Sequence, residues 1–219
     1  MKIFLDTANF ESIKRAVDTG LIDGVTTNPS LLSKEGEDPI LLIKKICSQV
    51  KGPVNAEVTS TDIEGMISEA KAIAEISDNL VVKLPMTENG LKATYHLSKN
   101  GIKINVTLIF SPLQSLLAMK SGARYISPFV GRVDDISLRG MSIVEDIIKI
   151  RNNYKFNTEL IVASIRNPLH ILDAAKCGVD IVTVPPSVFW QLYKHPLTDI
   201  GLEKFLADWK TVSNNNKKR

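Results

Sequence analysis

One lysine stands inside an apolar run of strand length, Leu80-Val81-Val82-Lys83-Leu84-Pro85-Met86-Thr87. Lysine is almost never fully buried without a reason. A desolvated lysine favours its neutral form, and a neutral amine attacks a carbonyl to form a Schiff base. The bland alternative is a lysine whose stem lies along apolar surface while its head reaches water. Other strand ends decide between the two. Asp6 closes a short run from Lys2, and Asn28 closes Gly24-Val25-Thr26-Thr27-Asn28. Asn55 and Glu57, Asn105 and Thr107, Ser127 and Phe129, and Ser164 and Arg166 are pairs two residues apart. In a strand such pairs face one side, so these four pairs and the single strand ends converge on one volume. Lys83 is the plausible nucleophile, with Asp6 and Glu57 as acid/base candidates. Their charge equally suits a protonated lysine, and the residues alone leave that open. Asn28 and Asn105 suit sugar hydroxyls. Arg132 and Arg166 suit a phosphate, which a guanidinium binds through two parallel hydrogen bonds, and Ser164 adds a donor. The set describes a Schiff-base enzyme acting on a sugar phosphate.

The elements that must carry these groups alternate along the whole chain. Strands are expected at Lys2–Asp6, Gly24–Asn28, Val54–Val58, the Lys83 stretch Leu80–Thr87, Ile102–Phe110, Tyr125–Val130, Glu159–Ser164 and Ile181–Val184. Helices are expected after each, from the apolar spacing of three and four and from capping pairs. Asp38-Pro39, Ser111-Pro112 and Asn167-Pro168 supply N-cap and first-turn proline, and Thr61-Asp62-Ile63-Glu64 has capping-box spacing. A short helix is expected over Ser187–Tyr193. A last helix at about 198–211 carries Leu202, Phe205, Leu206 and Trp209 on one stripe, ahead of a solvated, disordered tail from Ser213. Eight alternations without a linker predict one α/β domain over residues 1–219, a (β/α)8 TIM barrel with its active site at the C-terminal strand ends. An open doubly wound sheet is the runner-up, but Asp6-Thr7-Ala8-Asn9 stands where its glycine-rich fingerprint belongs.

Composition narrows the partners. The 219 residues are 44% hydrophobic and 23% charged with a net charge of +3, part of it in Lys217-Lys218-Arg219. No nucleic-acid footprint, membrane-span run or signal-peptide pattern is expected from this. Cys47 and Cys177 read as small packed residues rather than a disulfide framework, and a cytoplasmic setting fits. His96, His170 and His195 lack metal-ligand spacing and read as packed or solvated. Trp190 and Trp209 read as packing residues.

Four stretches carry a resemblance. Gly24-Val25-Thr26-Thr27-Asn28-Pro29-Ser30-Leu31-Leu32 resembles the transaldolase family signature. Val82-Lys83-Leu84-Pro85, with Thr87 and Gly90, resembles the segment around that family's Schiff-base lysine. Asn105-Val106-Thr107 and Ser127-Pro128-Phe129-Val130-Gly131-Arg132 also match, and the likeness runs from Lys2 to about Trp209. The length resembles the short subfamily that also holds the fructose-6-phosphate aldolases. The resemblance implies that Lys83 forms an imine with a ketose phosphate while Asp6 takes the C4 hydroxyl proton. Glu57 and Thr107 would position a relay water. Thr26, Asn28, Asn105, Ser127 and Phe129 would surround the three-carbon fragment, and Arg132, Ser164 and Arg166 the phosphate. No metal or organic cofactor is implied, because the imine is the electron sink. Packing of the last helix on its own barrel is the default for its apolar stripe, while the resemblance implies homo-oligomers, pentamers or decamers, in which that helix can cover a neighbour. The aldolases carry glutamine where Glu57 stands and tyrosine where Phe129 stands. Transaldolase activity in the pentose phosphate pathway is therefore expected. Release of dihydroxyacetone by an aldolase, and a non-catalytic sugar-phosphate-binding barrel, are the alternatives.

Overall fold

The structure is a computed structural model that describes residues 1–216. Its elements run β1 (Lys2–Asp6), α1 (Phe10–Val17), β2 (Gly24–Thr26), α2 (Pro29–Leu32), α3 (Pro39–Gln49), β3 (Val54–Glu57), α4 (Ile63–Ala74), β4 (Leu80–Pro85) and α5 (Glu88–Lys99). They continue with β5 (Ile104–Ile109), α6 (Pro112–Lys120), β6 (Tyr125–Pro128), α7 (Val130–Asp134), α8 (Gly140–Tyr154), β7 (Glu159–Val162), α9 (Pro168–Lys176), β8 (Ile181–Val184), α10 (Pro186–Phe189) and α11 (Pro196–Asn216). The eight strands pair in chain order, all parallel, and β8 pairs back onto β1. The expected (β/α)8 barrel is therefore closed, and the open sheet is excluded. Two compact units emerge: the barrel, Met1–Phe189, and a second unit that begins at Trp190.

Strand parity builds the barrel interior in layers. Phe4, Val81, Tyr125, Ile161 and Ile181 form a buried apolar cluster. Two residues further along the same strands come Asp6, Lys83, Ser127, Ala163 and Thr183, the floor of the mouth. A Cβ on Gly24 would lie 2.6 Å from the Phe4 ring, so only glycine there lets the aromatic ring fill the barrel beneath the site. Registers then align Asp6 with Thr26 and Thr26 with Asn55. They align Glu57 with Lys83, Lys83 with Asn105, and Pro85 with Thr107.

Helix starts follow the capping chemistry. Asp38, Ser111 and Asn167 accept hydrogen bonds from first-turn amides, each with proline following. In the capping-box stretch the cap is Asp62, whose carboxylate accepts from Gly65 N at 2.8 Å, one residue after the expected Thr61. Other departures lie where strands leave the barrel. β2 stops at Thr26 because Asn28 caps α2, a helix missed because Pro29 read as an interruption. β6 stops at Pro128, and Phe129 keeps only a bridge to Ala163 before the five-residue α7. β7 stops at Val162, since Ser164 turns into the left-handed region at φ 59°. β5 carries an irregularity between Val106 and Ile109, with Leu108 at φ 59°. α10 is shorter than the expected Ser187–Tyr193, and α11 is longer than expected, taking in Ser213–Asn216. The rest of the expected tail, Lys217-Lys218-Arg219, lies outside the described residues.

Candidate active site

The C-terminal ends of the strands surround a cavity of about 280 Å³. Its walls include Asp6, Thr26, Asn28, Lys83, Thr107, Ser127 and Phe129 from β1 to β6 or the loops just after them. Arg132 from α7 and Ser164 and Arg166 from the loop after β7 complete the rim. All lie within the barrel unit.

Lys83 is 5% exposed. Its Nζ donates to the Thr27 carbonyl at 2.9 Å and lies 2.9 Å from Glu57 Oε2. A carboxylate in hydrogen-bond reach is what an amine needs to lose a proton before it attacks. Glu57 itself is not on this cavity. It reaches Lys83 from the neighbouring strand and lines a separate, largely apolar cavity between α2, α3 and α4.

Asp6 lines the cavity from β1. Thr26 Oγ1 donates to Asp6 Oδ1 at 2.7 Å and lies 2.6 Å from Thr183 Oγ1. A hydroxyl has one proton, so with Thr26 donating to Asp6, Thr183 donates to Thr26. Burial raises the Asp6 carboxyl above its ordinary value, against the lowering by the Thr26 hydrogen bond and the Lys83 charge, and Glu57 adds to the rise. A raised carboxyl is the kind tuned for proton transfer.

The amides divide in two. Asn28 uses Oδ1 to cap α2, accepting from Leu31 N at 2.9 Å. Its Nδ2 remains a donor on the cavity wall. Asn105 is fully buried and does not reach the cavity. Ser127 Oγ donates to Asn105 Oδ1 at 2.9 Å, Asn105 Nδ2 to Asn55 Oδ1 at 2.9 Å, and Asn55 Nδ2 to the Val25 carbonyl at 3.3 Å. This buried chain joins side chains of β6, β5 and β3 to the β2 backbone and fixes Ser127 in the floor of the mouth. Thr107 is the exception to such pairing. Among the described residues its hydroxyl is the buried side-chain polar atom without a partner, and it sits on the cavity wall. A buried unpaired hydroxyl is costly, so Thr107 is poised to bond something held in the cavity.

The rim is basic. Arg132 lies with its guanidinium carbon 5.4 Å from the Phe129 ring centre, and Phe110 packs edge-on to the same ring at 5.7 Å. Gly131 N–H donates to the Ser164 carbonyl at 3.1 Å, and a Cβ on Gly131 would meet that oxygen at 2.1 Å. Glycine there brings α7 against the loop after β7 and so places Arg132 beside Arg166. Arg166 pairs with Asp135 at 2.9 Å. Among the described residues no group of His, Cys, Asp and Glu has metal-site geometry.

The structure thus gathers Lys83, Asp6, Thr26, Asn28, Thr107, Ser127, Phe129, Arg132, Ser164 and Arg166 around one volume, with Glu57 and Asn105 behind it. Sequence reasoning missed Thr183, Asp135 and His170 as neighbours of these groups. Thr183 was findable, standing two residues after the inward Ile181. Asp135 and His170 act through loop geometry that no periodicity encodes.

Residues 3–217 match the transaldolase/fructose-6-phosphate aldolase family. The chain belongs to that family. It is similar to a probable transaldolase of Thermodesulfovibrio yellowstonii, 60% identical over 97% of this chain and 99% of that one. It is also similar to probable transaldolases of Aquifex aeolicus, 57% identical over 97% and 98%, and Methanococcus vannielii, 58% identical over 95% and 97%. Among solved structures, a thiamine phosphate pyrophosphorylase from Pyrococcus furiosus superposes with a TM-score of 0.58 at 15% identity, over 84% of this chain and 85% of that one. That likeness is one of barrel fold alone. No helix among the described residues of this transaldolase-family barrel is long and apolar enough to cross a membrane.

Proposed function

We propose that this chain is a transaldolase that moves a dihydroxyacetone unit from a ketose phosphate to an aldose phosphate through an imine on Lys83. The observation that carries the reading is the buried Lys83 amine. It faces a polar cavity with Glu57 at 2.9 Å behind it. Glu57 takes the proton that Nζ loses as it attacks the C2 carbonyl of sedoheptulose 7-phosphate or fructose 6-phosphate. The resulting carbinolamine loses water to become the imine, with a water on the unpartnered Thr107 hydroxyl relaying protons. Asp6 then accepts the C4 hydroxyl proton. The C3–C4 bond breaks, the aldose leaves, and its bonding electrons enter the imine to give an enamine. Asn28 and Ser127 hold the three-carbon fragment beside Thr26. Asn105 supports it through Ser127, and Arg132, Ser164 and Arg166 hold the phosphate. Addition of the enamine to glyceraldehyde 3-phosphate or erythrose 4-phosphate reverses these steps, and hydrolysis frees Lys83. Such a reaction belongs to pentose phosphate metabolism. The metabolic-enzyme family and sugar-phosphate substrates support a cytoplasmic setting, and the exposed apolar side chains of α11 support a homo-oligomer.

Phe129 favours transfer over simple cleavage. Its ring lines the cavity where the related aldolases carry a tyrosine, and a phenyl ring has no proton to give the enamine. The enamine then waits for an aldehyde. Borohydride with fructose 6-phosphate is expected to add a reduced three-carbon adduct to Lys83, and none in Lys83→Met. Saturating substrate without an adduct would favour a binding protein. Cleavage is expected to accelerate on adding erythrose 4-phosphate, and equal rates with and without it would sink the transferase reading in favour of the aldolase.

A further inference from the structure

Two arginines flank the rim, and they are not equivalent. Among the described residues Arg132 has no carboxylate within ion-pair distance and rests against Phe129. Arg166 donates from Nη2 to Asp135 Oδ2 at 2.9 Å. The Arg166 backbone is held in place. Its N–H donates to His170 Nδ1 at 3.2 Å, and His170 Nε2 lies 2.8 Å from Asp134 Oδ2. Asp134 Oδ1 accepts from Gly140 N at 2.8 Å. Because Nδ1 accepts, the ring proton sits on Nε2 and points at Asp134. The arginine stem is placed too. A Cβ on Gly131 would lie 2.6 Å from Arg166 Cγ and 2.8 Å from Nε, so the stem lies flat across the glycine. Only the outer guanidinium is left to choose a partner. Its pair with Asp135 is about half-exposed, with side-chain exposures of 54% and 58%. Such pairs contribute little to folding and exchange readily.

We propose that Asp135 is a specificity-determining residue, a competing anion that the substrate phosphate must displace from Arg166. The inference rests on the reading of Arg132 and Arg166 as the phosphate grip. A phosphate dianion carries more charge than a carboxylate and meets Arg132 as well, so it wins the guanidinium. A single weak anion facing Arg166 alone does not. Asp135 thereby lowers phosphate affinity, favours release and selects doubly charged ligands.

The test is calorimetric titration of the full chain with inorganic phosphate at low salt, in wild type, Asp135→Asn, Arg166→Ala and the double variant. Asp135→Asn is expected to bind phosphate about two- to fivefold more tightly, with KM for fructose 6-phosphate falling by a similar factor. Arg166→Ala is expected to weaken binding at least about tenfold, and Asp135→Asn to have no effect in that background. Tightening of equal size in both backgrounds would mean simple field repulsion and overturn the competition. Unchanged affinity in Asp135→Asn alone would overturn it as well, leaving the phosphate grip standing. Unchanged affinity in Arg166→Ala would overturn the phosphate grip and the competition with it.

Discussion

Asp6 and Thr107 tie stability to chemistry in opposite ways. Burial holds the Asp6 proton to higher pH in the folded protein than in the unfolded chain, whose carboxyl titrates near about 3.9. Between the two values the folded state binds more protons, so stability falls as pH rises through that window. Asp6→Asn keeps an oxygen for Thr26 and removes the titration. The variant is expected to gain stability relative to wild type at pH 7, with the gain vanishing below about pH 4. Urea midpoints at both pH values check this, and a difference independent of pH would contradict it. The same raised carboxyl is expected to set the acid limb of kcat/KM, shifted upward from that of an ordinary aspartate, which a pH profile measures. Thr107→Val is a second separation. It replaces an unpartnered hydroxyl with a methyl of equal shape. Stability is expected to hold or rise by about 1 kcal/mol, while imine formation slows about a hundredfold. Stopped-flow trapping and a melt measure the two. Loss of stability would mean that the hydroxyl has a folding role.

Among the elements, α2 shows how a cap and a ligand group share one side chain. Asn28 Oδ1 holds the first turn, and Nδ2 is left for the cavity. Asn28→Ser keeps a capping oxygen, so stability is expected within about 0.5 kcal/mol of wild type, but the cavity donor goes and KM rises. Asn28→Ala is expected to lose about 1 kcal/mol as well. Denaturant midpoints beside KM separate the roles. The same helix marks the boundary of what the sequence made legible. Short apolar, β-branched runs exposed the eight strands, and parity within them exposed the inward pairs Asn55 with Glu57, Asn105 with Thr107, and Ser127 with Phe129. Apolar spacing of three and four, helped by capping pairs at several starts, exposed the longer helices. Where a strand hands over to a loop, neither signal operates. α2 and α7 are four and five residues long, too short for a periodicity, and Ser164 leaves β7 through a positive φ that its residue type does not announce. So Ser164 and Arg166 share the rim through a turn rather than through strand parity. Packing at the strand ends follows the same division. At Gly24 a Cβ would meet the Phe4 ring at 2.6 Å, a restraint that the sequence pattern does not announce.

At the scale of the whole molecule, every group in the proposed reaction lies on the barrel unit, Met1–Phe189. α11 supplies none of them. It carries instead Leu202, Phe205, Leu206 and Trp209, each more than half exposed. Apolar surface of that extent on one helix calls for a cover, and a second copy of the chain is the cover that the proposed homo-oligomer supplies. Ending the chain after Asp199 separates assembly from chemistry. The shortened protein is expected to keep the far-ultraviolet circular dichroism of the barrel, less the helical contribution of α11, and its borohydride-trapped Lys83, because the barrel closes without the helix. Its mass by light scattering is expected to fall to that of a smaller species. In the full chain, Trp209→Phe is expected to remove a blue-shifted component of the fluorescence if that indole is covered by a neighbour. An unchanged mass on shortening would place the subunit contacts on the barrel, and loss of the Lys83 adduct would mean that the chemistry depends on α11 as well.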